Sequence, residues 1–436
     1  MGGVISRPVG RWVAAAVVVA VLGALALLGY RVLAPRDLLT APTTDFPAAS
    51  PKPDHRPFGS HRVMPLVVDG LRVHAEKRRV WAEGPVGERQ ETVPYWALRR
   101  WPAQVVGVAQ AGDDPTALII SQWSDGKLIA IDLHKGTVVW RGDAPVGRDA
   151  YDGRRTGADT VYDPPALLVA TAGDGRAAVV VSAPGAIHAY DARTGGRLYA
   201  TDVAAGCRPE VWSSAGLLAV PPCGTDRELR FLDPRTGQVV STWAAPAAPA
   251  PAACVLGRTE CALVVAGPDV RAPRPDGTLR TVAVGLATAV TKADAPGAQR
   301  AGDLIVTSAA GVITAASLDT GEPRWSVPGA GTLVAANAAG VYTVTDGRAV
   351  VRLDPATGAR TGVGCATGKY DKEWSVGRAY ATDDGAFLAV ERVTGKPATG
   401  GDNEYYWSLR PVVLAQFYPP NAVPQWEPRF GYCPTP

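Results

Sequence analysis

The 436-residue chain has no long block of basic residues, and only 19% of its residues are charged, with a formal net charge of +3. Nucleic-acid-binding proteins concentrate Lys and Arg in a patch, so this composition argues against nucleic acid as a partner. Methionine (2) and phenylalanine (6) are scarce, whereas glycine (48) and proline (38) are abundant. Because Gly and Pro interrupt helices and form turns, we expect many short elements and few long helices.

The usual signatures of catalytic and metal sites are also missing. The sequence has no His-Glu-x-x-His motif, no Gly-x-Ser-x-Gly elbow and no Walker A loop. Its histidines are scattered, and the simplest hypothesis places them in exposed turns; they are His55, His61, His74, His134 and His188. We therefore assign no catalytic residue, no metal ligand and no cofactor or cofactor-binding residue.

The six cysteines are even in number and contain no Cys-x-x-Cys pair. This pattern favours disulfides over a zinc or redox site. Six cysteines allow fifteen connectivities. Their order along the chain predicts the pairs Cys207 with Cys223, Cys254 with Cys261, and Cys365 with Cys433.

The N-terminal run Trp12–Tyr30 is apolar and uncharged, and it has about the length of a membrane-spanning helix. Arg7 and Arg11 precede it, which favours a cytoplasmic N-terminus. The alternative is a cleaved signal peptide. The best cleavage site, after Ala34, is followed by a proline, which opposes cleavage.

This run divides the chain into four parts. We predict a cytoplasmic N-terminus (1–11), a transmembrane helix (12–33), a Pro-rich linker (34–61) and a body with a Pro-rich tail (62–436). Pro-rich segments are extended and semi-rigid, so the linker would hold the body off the membrane. The predicted location is the plasma membrane, with a single span and an extracytoplasmic body.

Beyond residue 62, short apolar runs alternate with Gly, Asp and Pro turns, which predicts strands and not helices. One motif recurs: a strand, an Asp, two or three turn residues, a Gly and another strand. The Asp positions are Asp132, Asp191, Asp233 and Asp354, with Ser317 and Glu391 in weaker copies. The Gly positions are Gly136, Gly195, Gly237, Gly321, Gly358 and Gly395. The carboxylate can accept N–H bonds from the turn while Gly takes positive φ, so these residues are structural.

The spacing of the copies, about 40–50 residues, predicts an all-β fold of the β-propeller type. A degenerate copy at 275–284 fills a double gap, so seven blades are most favoured and eight are the runner-up. The stretch Val63–Trp101 is either an extra blade or a strand that closes the ring. Residues 405–417 are its natural partner for closure.

The motif resembles the pyrroloquinoline-quinone-like propeller repeat. Ala130, Asp132, Gly136 and Trp140 carry it in one copy, and Trp325 ends another. The resemblance covers most of residues 104–399. It implies either a quinone-dependent alcohol or sugar dehydrogenase, or a non-enzymatic propeller tethered at a bacterial membrane that scaffolds envelope protein assembly.

Enzymes of this type resemble one another in an adjacent Cys-Cys pair, a Glu/Asn/Asp calcium site and a catalytic Asp. This chain has no adjacent cysteines and only three asparagines, Asn337, Asn403 and Asn421. We therefore favour a non-enzymatic scaffold with an envelope protein as its partner, tethered by Trp12–Tyr30. The alternatives are a quinone-dependent oxidoreductase and a sensor that binds cell-wall glycan or peptide.

The predicted topology can be tested by treating intact cells with a protease. We expect the body to be degraded while the N-terminal segment stays with the membrane, because the basic residues before the span should remain inside. Permeabilised cells provide the control for protease access. A body that stays protected in intact cells would contradict the predicted orientation.

Overall fold

The computed structural model describes most of the chain. The described residues are 12, 15–25, 29, 36–46, 58–84, 93–112, 116–146, 156–164, 166–223, 227–294, 296–346, 348–366, 374–393 and 412–418. Within them, residues 15–25 form helix α1, and no helix has the length and apolarity needed to cross a membrane. The predicted span Trp12–Tyr30 includes positions outside the described residues.

The first four blades follow one another along the chain. Blade 1 comprises β3 (Leu66–Val68), β4 (Leu71–Glu76), β5 (Arg79–Glu83) and β6 (Trp96–Trp101), with β1 (Arg36–Thr40) as a fifth strand. Blade 2 comprises β7 (Val105–Ala111), β8 (Leu118–Trp123), β9 (Lys127–Asp132) and β10 (Val138–Asp143). Helix α2 (Ala158–Val161) precedes blade 3, which comprises β11 (Leu167–Thr171), β12 (Ala177–Ala183), β13 (Ala186–Asp191) and β14 (Arg197–Asp202). Blade 4 comprises β15 (Trp212–Ser214), β16 (Leu217–Val220), β17 (Glu228–Leu232) and β18 (Val239–Ala244).

The other four blades continue in the same order. Blade 5 comprises β19 (Ala250–Cys254), the 3-10 helix η1 (Leu256–Arg258), β20 (Cys261–Ala266), β21 (Asp269–Pro273) and β22 (Leu279–Thr281). Helix α3 (Val284–Thr291) precedes blade 6, which comprises β23 (Gln299–Ala301), β24 (Leu304–Ala309), β25 (Val312–Ser317) and β26 (Pro323–Pro328). Blade 7 comprises β27 (Thr332–Asn337), β28 (Gly340–Val344), β29 (Ala349–Leu353) and β30 (Arg360–Cys365). Blade 8 comprises β31 (Ser375–Ala381), β32 (Phe387–Val393), β33 (Val412–Gln416) and β2 (Phe58–His61).

The body is therefore an eight-bladed β-propeller built from antiparallel sheets. The preference for seven blades was wrong, and the runner-up of eight is confirmed. Blade 1 occupies the stretch Val63–Trp101, which carries no copy of the Asp-to-Gly motif. Its strands β5 and β6 are joined by residues 84–95 in place of the short turn, so a count of motifs misses this blade.

Blade 8 closes the ring with strands from distant parts of the chain. Its outer strand β2 pairs antiparallel with β33, from Phe58 opposite Ala415 to His61 opposite Val412. At its inner edge, the Tyr380 hydroxyl donates to the Pro65 carbonyl at 2.6 Å and accepts from the Val67 N–H at 3.0 Å. Blade 8 is thus fastened both within its own sheet and to blade 1.

The hydrophobic core lies between neighbouring blades. Strand β8, in the middle of blade 2, is buried at every position, whereas the outer strand β10 alternates and buries Trp140. One apolar cluster joins blades 1, 2 and 8 and includes Met64, Trp96, Trp123 and Leu414. Each blade therefore depends on its two neighbours for burial of its faces.

Two strands lie within residues 34–61, the segment predicted to be a linker. Strand β2 belongs to blade 8, and strand β1 pairs with β6 along five residues, from Arg36 opposite Trp101 to Thr40 opposite Ala97. An ion pair between Asp37 and Arg100, at 2.8 Å, joins β1 to blade 1. The apolar periodicity that marks other strands is absent here because β1 is almost fully exposed.

Two histidines lie buried where blade 8 meets blade 1. The rings of His61 and His74 are 5.7 Å apart, and His74 stacks on Trp81 at 5.1 Å. The Glu83 carboxylate lies 3.7 Å from both His74 and the Arg72 guanidinium. The hypothesis that the histidines occupy exposed turns is therefore wrong for these two.

Burial, together with the nearby His61, Arg72 and Arg79, lowers the pKa of His74 well below its usual 6.5. As pH falls through 6.5, the unfolded chain takes up a proton that folded His74 refuses, so stability should be full above this pH and decrease below it. The free energy of unfolding should then fall by about 1.4 kcal/mol per pH unit, because the unfolded chain binds about one more proton than the folded chain. Urea unfolding at about pH 7.5 and about pH 5 measures this change in the free energy of unfolding. His74→Gln should remove the part of the change that His74 contributes. An unchanged slope would contradict the assignment.

Candidate functional site

The described part of the connection from blade 2 to blade 3 lies in the central channel, beside inner strands of the ring. Residues 156–164, which we name the crossing segment, contain α2 and reach blades 1, 5 and 8. Ala158 and Val161 are buried in the cluster that joins blades 1, 2 and 8. On the blade 1 side, the Met64 N–H donates to the Thr156 carbonyl. The chain thus fills part of its own channel.

Polar contacts attach the crossing segment to blade 8. The Thr156 hydroxyl donates to Glu391 Oε1 at 2.8 Å, and both residues are buried. Glu391 Oε2 accepts the backbone N–H of Arg378 at 3.0 Å, and the Arg378 side chain forms an ion pair with Asp159. One carboxylate of blade 8 and one of the crossing segment are therefore both satisfied at this contact.

A second set of contacts attaches the crossing segment to blade 5. Arg258, in η1, places Nε 2.6 Å from Asp163 Oδ1 and Nη1 2.7 Å from Glu210 Oε1. Its Nη2 also donates to the Pro164 carbonyl at 3.2 Å. The N–H of Gly257 donates to the Tyr162 carbonyl at 2.9 Å. A single buried arginine thus joins three segments of the ring.

Burial governs the electrostatics of this junction. It raises the pKa of the Asp163 carboxyl, with a contribution from Glu210, against the opposing effect of the Arg258 guanidinium. Burial, with the nearby carboxylates of Asp163 and Glu391, raises the pKa of Tyr162 to about 12. The Tyr162 hydroxyl therefore stays protonated at any physiological pH, which makes it a poor base.

The two predicted disulfides within the described residues are present. Cys254 and Cys261 are bonded across the base of the loop that carries η1, and Cys207 is bonded to Cys223. The first bond holds the loop that presents Arg258 to the crossing segment. Cys365 is buried, but Cys433 lies outside the described residues, so the third pair stays a prediction.

A cavity of about 320 Å³ remains in the channel beside the crossing segment. Seven of the eight inner strands contribute to its wall. The wall exposes polar and apolar surface in similar amounts, and its apolar and aromatic residues include Val108, Tyr162, Leu168, Leu256, Ala336 and Tyr380. Polar side chains lie among them, including Gln110, Thr171, Asn337 and Asp383.

Two polar side chains of this cavity already serve the fold. Asn337 Oδ1 accepts the N–H groups of Ala339 and Gly340, and Asn337 Nδ2 donates to the Thr382 carbonyl at 2.8 Å. The Tyr380 hydroxyl donates one hydrogen bond to blade 1 and accepts another from it. Among the described residues, no three His, Cys, Asp or Glu side chains are grouped to hold a metal ion. The cavity therefore offers both polar and apolar contacts to a small group.

In five described copies, the Asp-to-Gly residues lie in the turns between the third and fourth strands of their blades. The prediction was wrong for Glu391, which lies within β32, the second strand of blade 8. Asp191 Oδ1 accepts the N–H groups of Arg193 and Thr194, each at 3.0 Å, and Gly195 has φ of 71°. The other described copies share this arrangement: Asp132 with Gly136, Asp233 with Gly237, Asp354 with Gly358, and Ser317 with Gly321. Gly395 lies outside the described residues.

The same turns receive an aromatic side chain from the preceding blade. Trp140 of blade 2 donates its indole N–H to the Ala192 carbonyl of blade 3 at 2.9 Å, and Trp325 of blade 6 donates to Pro355 of blade 7 at 2.6 Å. The aromatic rings cover the turn glycines in the pairs Trp140 with Gly195, Tyr199 with Gly237, and Trp325 with Gly358. The predicted site residues are therefore not brought together; they are spread around the ring as blade-to-blade contacts.

Sequence reasoning missed the crossing segment and its partners. Asp159 and Asp163 lie in an unusually long connection between β10 and β11, which was the available signal. Their partner Arg258 is distant in sequence and lies in no recognisable motif.

Fold and site together define a repeat propeller whose channel is crossed by its own chain. A family model described as "Outer membrane protein assembly factor BamB" matches residues 50–244 and 124–288, which together span more than half of the chain. The chain belongs to this family of pyrroloquinoline-quinone-like propellers. Among curated proteins, none matches the chain significantly.

Several solved structures are similar to the chain at low identity. BamB from Moraxella catarrhalis is 16% identical, with 82% of this chain and 96% of that chain covered and a TM-score of 0.43. The computationally designed Ika8 protein is 14% identical, with 84% and 100% covered and a TM-score of 0.49. The U3-55K structure is 14% identical, with 72% and 98% covered and a TM-score of 0.40.

The turn-to-aromatic contact can be tested with two glycines that share a positive φ. A Cβ at Gly195 would lie 2.5 Å from Trp140 Cε3, whereas one at Gly185 would meet nothing within 4 Å. Ala at either position pays the left-handed backbone cost of about 1–2 kcal/mol. Gly195→Ala should lose roughly 1–3 kcal/mol more in urea unfolding because it must displace the indole. Equal losses would contradict the blade-to-blade role.

Proposed function

We propose that this protein is a non-enzymatic propeller that binds protein partners of the cell envelope and holds them in place. The observation that carries the proposal is the partly filled channel. The crossing segment and the η1 loop meet there through Arg258 and Asp163, which the chain supplies itself. With the channel reduced to a cavity of about 320 Å³, the large surfaces that remain are the two faces and the outer edges of the ring, which suit protein docking. Membership of the BamB family supports the same conclusion.

The proposal includes a place for the protein: anchored in the plasma membrane by the apolar run Trp12–Tyr30, with the propeller outside the cytoplasm. The support comes from the sequence. The run is uncharged over a span's length, and Arg7 and Arg11 precede it. The disulfides Cys207–Cys223 and Cys254–Cys261 also support an oxidising compartment.

Affinity capture of the full chain from crosslinked membranes tests the scaffold function. We expect the same envelope protein to be recovered in independent preparations, because a scaffold must hold a partner stably enough to be crosslinked. The matched sample is the same chain captured without crosslinker. Absence of any reproducible partner would count against the scaffold. Saturable dye reduction after addition of pyrroloquinoline quinone and calcium to the purified chain would favour the oxidoreductase instead.

A further inference from the structure

The outer edge of blade 1 has two sides with different charge. In antiparallel strands, residues directly opposite each other share a side of the sheet. On the side that faces blade 2, Arg100 pairs with Asp37 at 2.8 Å and with both oxygens of Asp125, at 2.9 and 3.0 Å. The positive charge on this side is therefore compensated.

The other side has little compensating charge. Arg36 lies opposite Trp101, Leu38 lies opposite Arg99, and Arg99 lies opposite Arg79, so all five share this side. Arg36 and Arg99 are exposed, and Leu38 is 62% exposed. Among the described carboxylates, none is within 4.0 Å of the Arg36 or Arg99 guanidinium.

The adjacent turn adds to this surface. Lys77 is exposed in the hairpin between β4 and β5, and the Arg78 guanidinium lies 3.8 Å from the centre of the Trp101 ring. One acidic residue on this side, Glu76, lies opposite Arg79. We name the surface the basic corner: Arg36, Lys77, Arg79 and Arg99, with Leu38 and Trp101.

The chain itself places the basic corner near the apolar run. Residue 29 is helical and Arg36 begins β1, so six residues separate them. An extended chain covers about 3.4 Å per residue, so Arg36 lies at most about 24 Å from residue 29 along the chain. If the apolar run spans the bilayer, the edge of blade 1 must lie close to the lipid headgroups.

We propose that the basic corner binds the anionic phosphate headgroups of the membrane in which the apolar run is anchored. The inference rests on the proposed anchoring and specifies how the ring is oriented. Arg and Lys pair with lipid phosphates, while Trp101 and Leu38 suit the boundary between headgroups and acyl chains. The ring then stands on the outer edge of blade 1, with its other edges directed away from the bilayer.

The test uses the full chain in lipid nanodiscs made of phosphatidylcholine alone or of phosphatidylcholine and phosphatidylglycerol, with a photoreactive headgroup in each. Crosslinks in β1 and β6 are mapped by mass spectrometry. We expect crosslinks at these strands in the anionic discs. Their yield should decrease about tenfold or more in the double variant Arg36→Glu, Arg99→Glu, because each surface Arg raises the affinity for an anionic membrane about fivefold. About 1 M salt should have the same effect because the screening length is then ~3 Å.

The control is the double variant Arg324→Glu, Arg360→Glu, with the same charge change at exposed positions on the outer strands of blades 6 and 7. It should crosslink like the unchanged chain. The proposal for the basic corner would be wrong if the chain stays in the discs but crosslinks equally around the ring. It would also be wrong if the double variant at Arg36 and Arg99 crosslinks like the unchanged chain. Neither result would contradict the proposed anchoring. A chain that never enters the discs overturns both. Loss of a captured protein partner in place of lipid crosslinks would assign the surface to a protein.

Discussion

The pairing of β2 with β33 is the contact on which the rest of the molecule depends. Without it, the outer edge of blade 8 would have no outer strand, and an unpaired sheet edge is open to wrong partners. With it, every blade has two neighbours, and the inner strands surround one channel. In the closed ring, the crossing segment contacts Glu391 in blade 8 and Arg258 in blade 5 simultaneously.

Between the blades, one small device is used repeatedly. A carboxylate organises the turn, glycine leaves space above it, and an aromatic side chain from the preceding blade fills that space. The indole N–H of Trp140 or Trp325 then bonds to a turn carbonyl, so the polar edge of a buried ring is also satisfied. Where the aromatic is missing, a smaller residue takes its place: Ser241 donates its hydroxyl to the Gly277 carbonyl at 2.5 Å.

The parts of the fold that the sequence predicts are those specified by local contacts. The turn at Asp191 and Gly195 is built from neighbouring residues, so its chemistry is visible in the repeat. Counting copies of the motif did not find blade 1, because a long connection replaces the turn in this blade. The candidate site depends on contacts between distant segments, such as Arg258 with Asp163, which no spacing rule reveals. The burial of His61 likewise follows from ring closure and not from its own neighbours in sequence.

The origin of blade 8 has a consequence for biosynthesis. Strand β2 leaves the ribosome early, and its partner β33 is made only after seven further blades. At ordinary translation rates this interval is on the order of tens of seconds. During that time β2 has no native partner, and the ring cannot close from the N-terminus forward. Its length of four residues limits the edge it can offer to other nascent chains. The short length of β2 thus limits wrong pairing during synthesis, and it still suffices to close the ring afterwards.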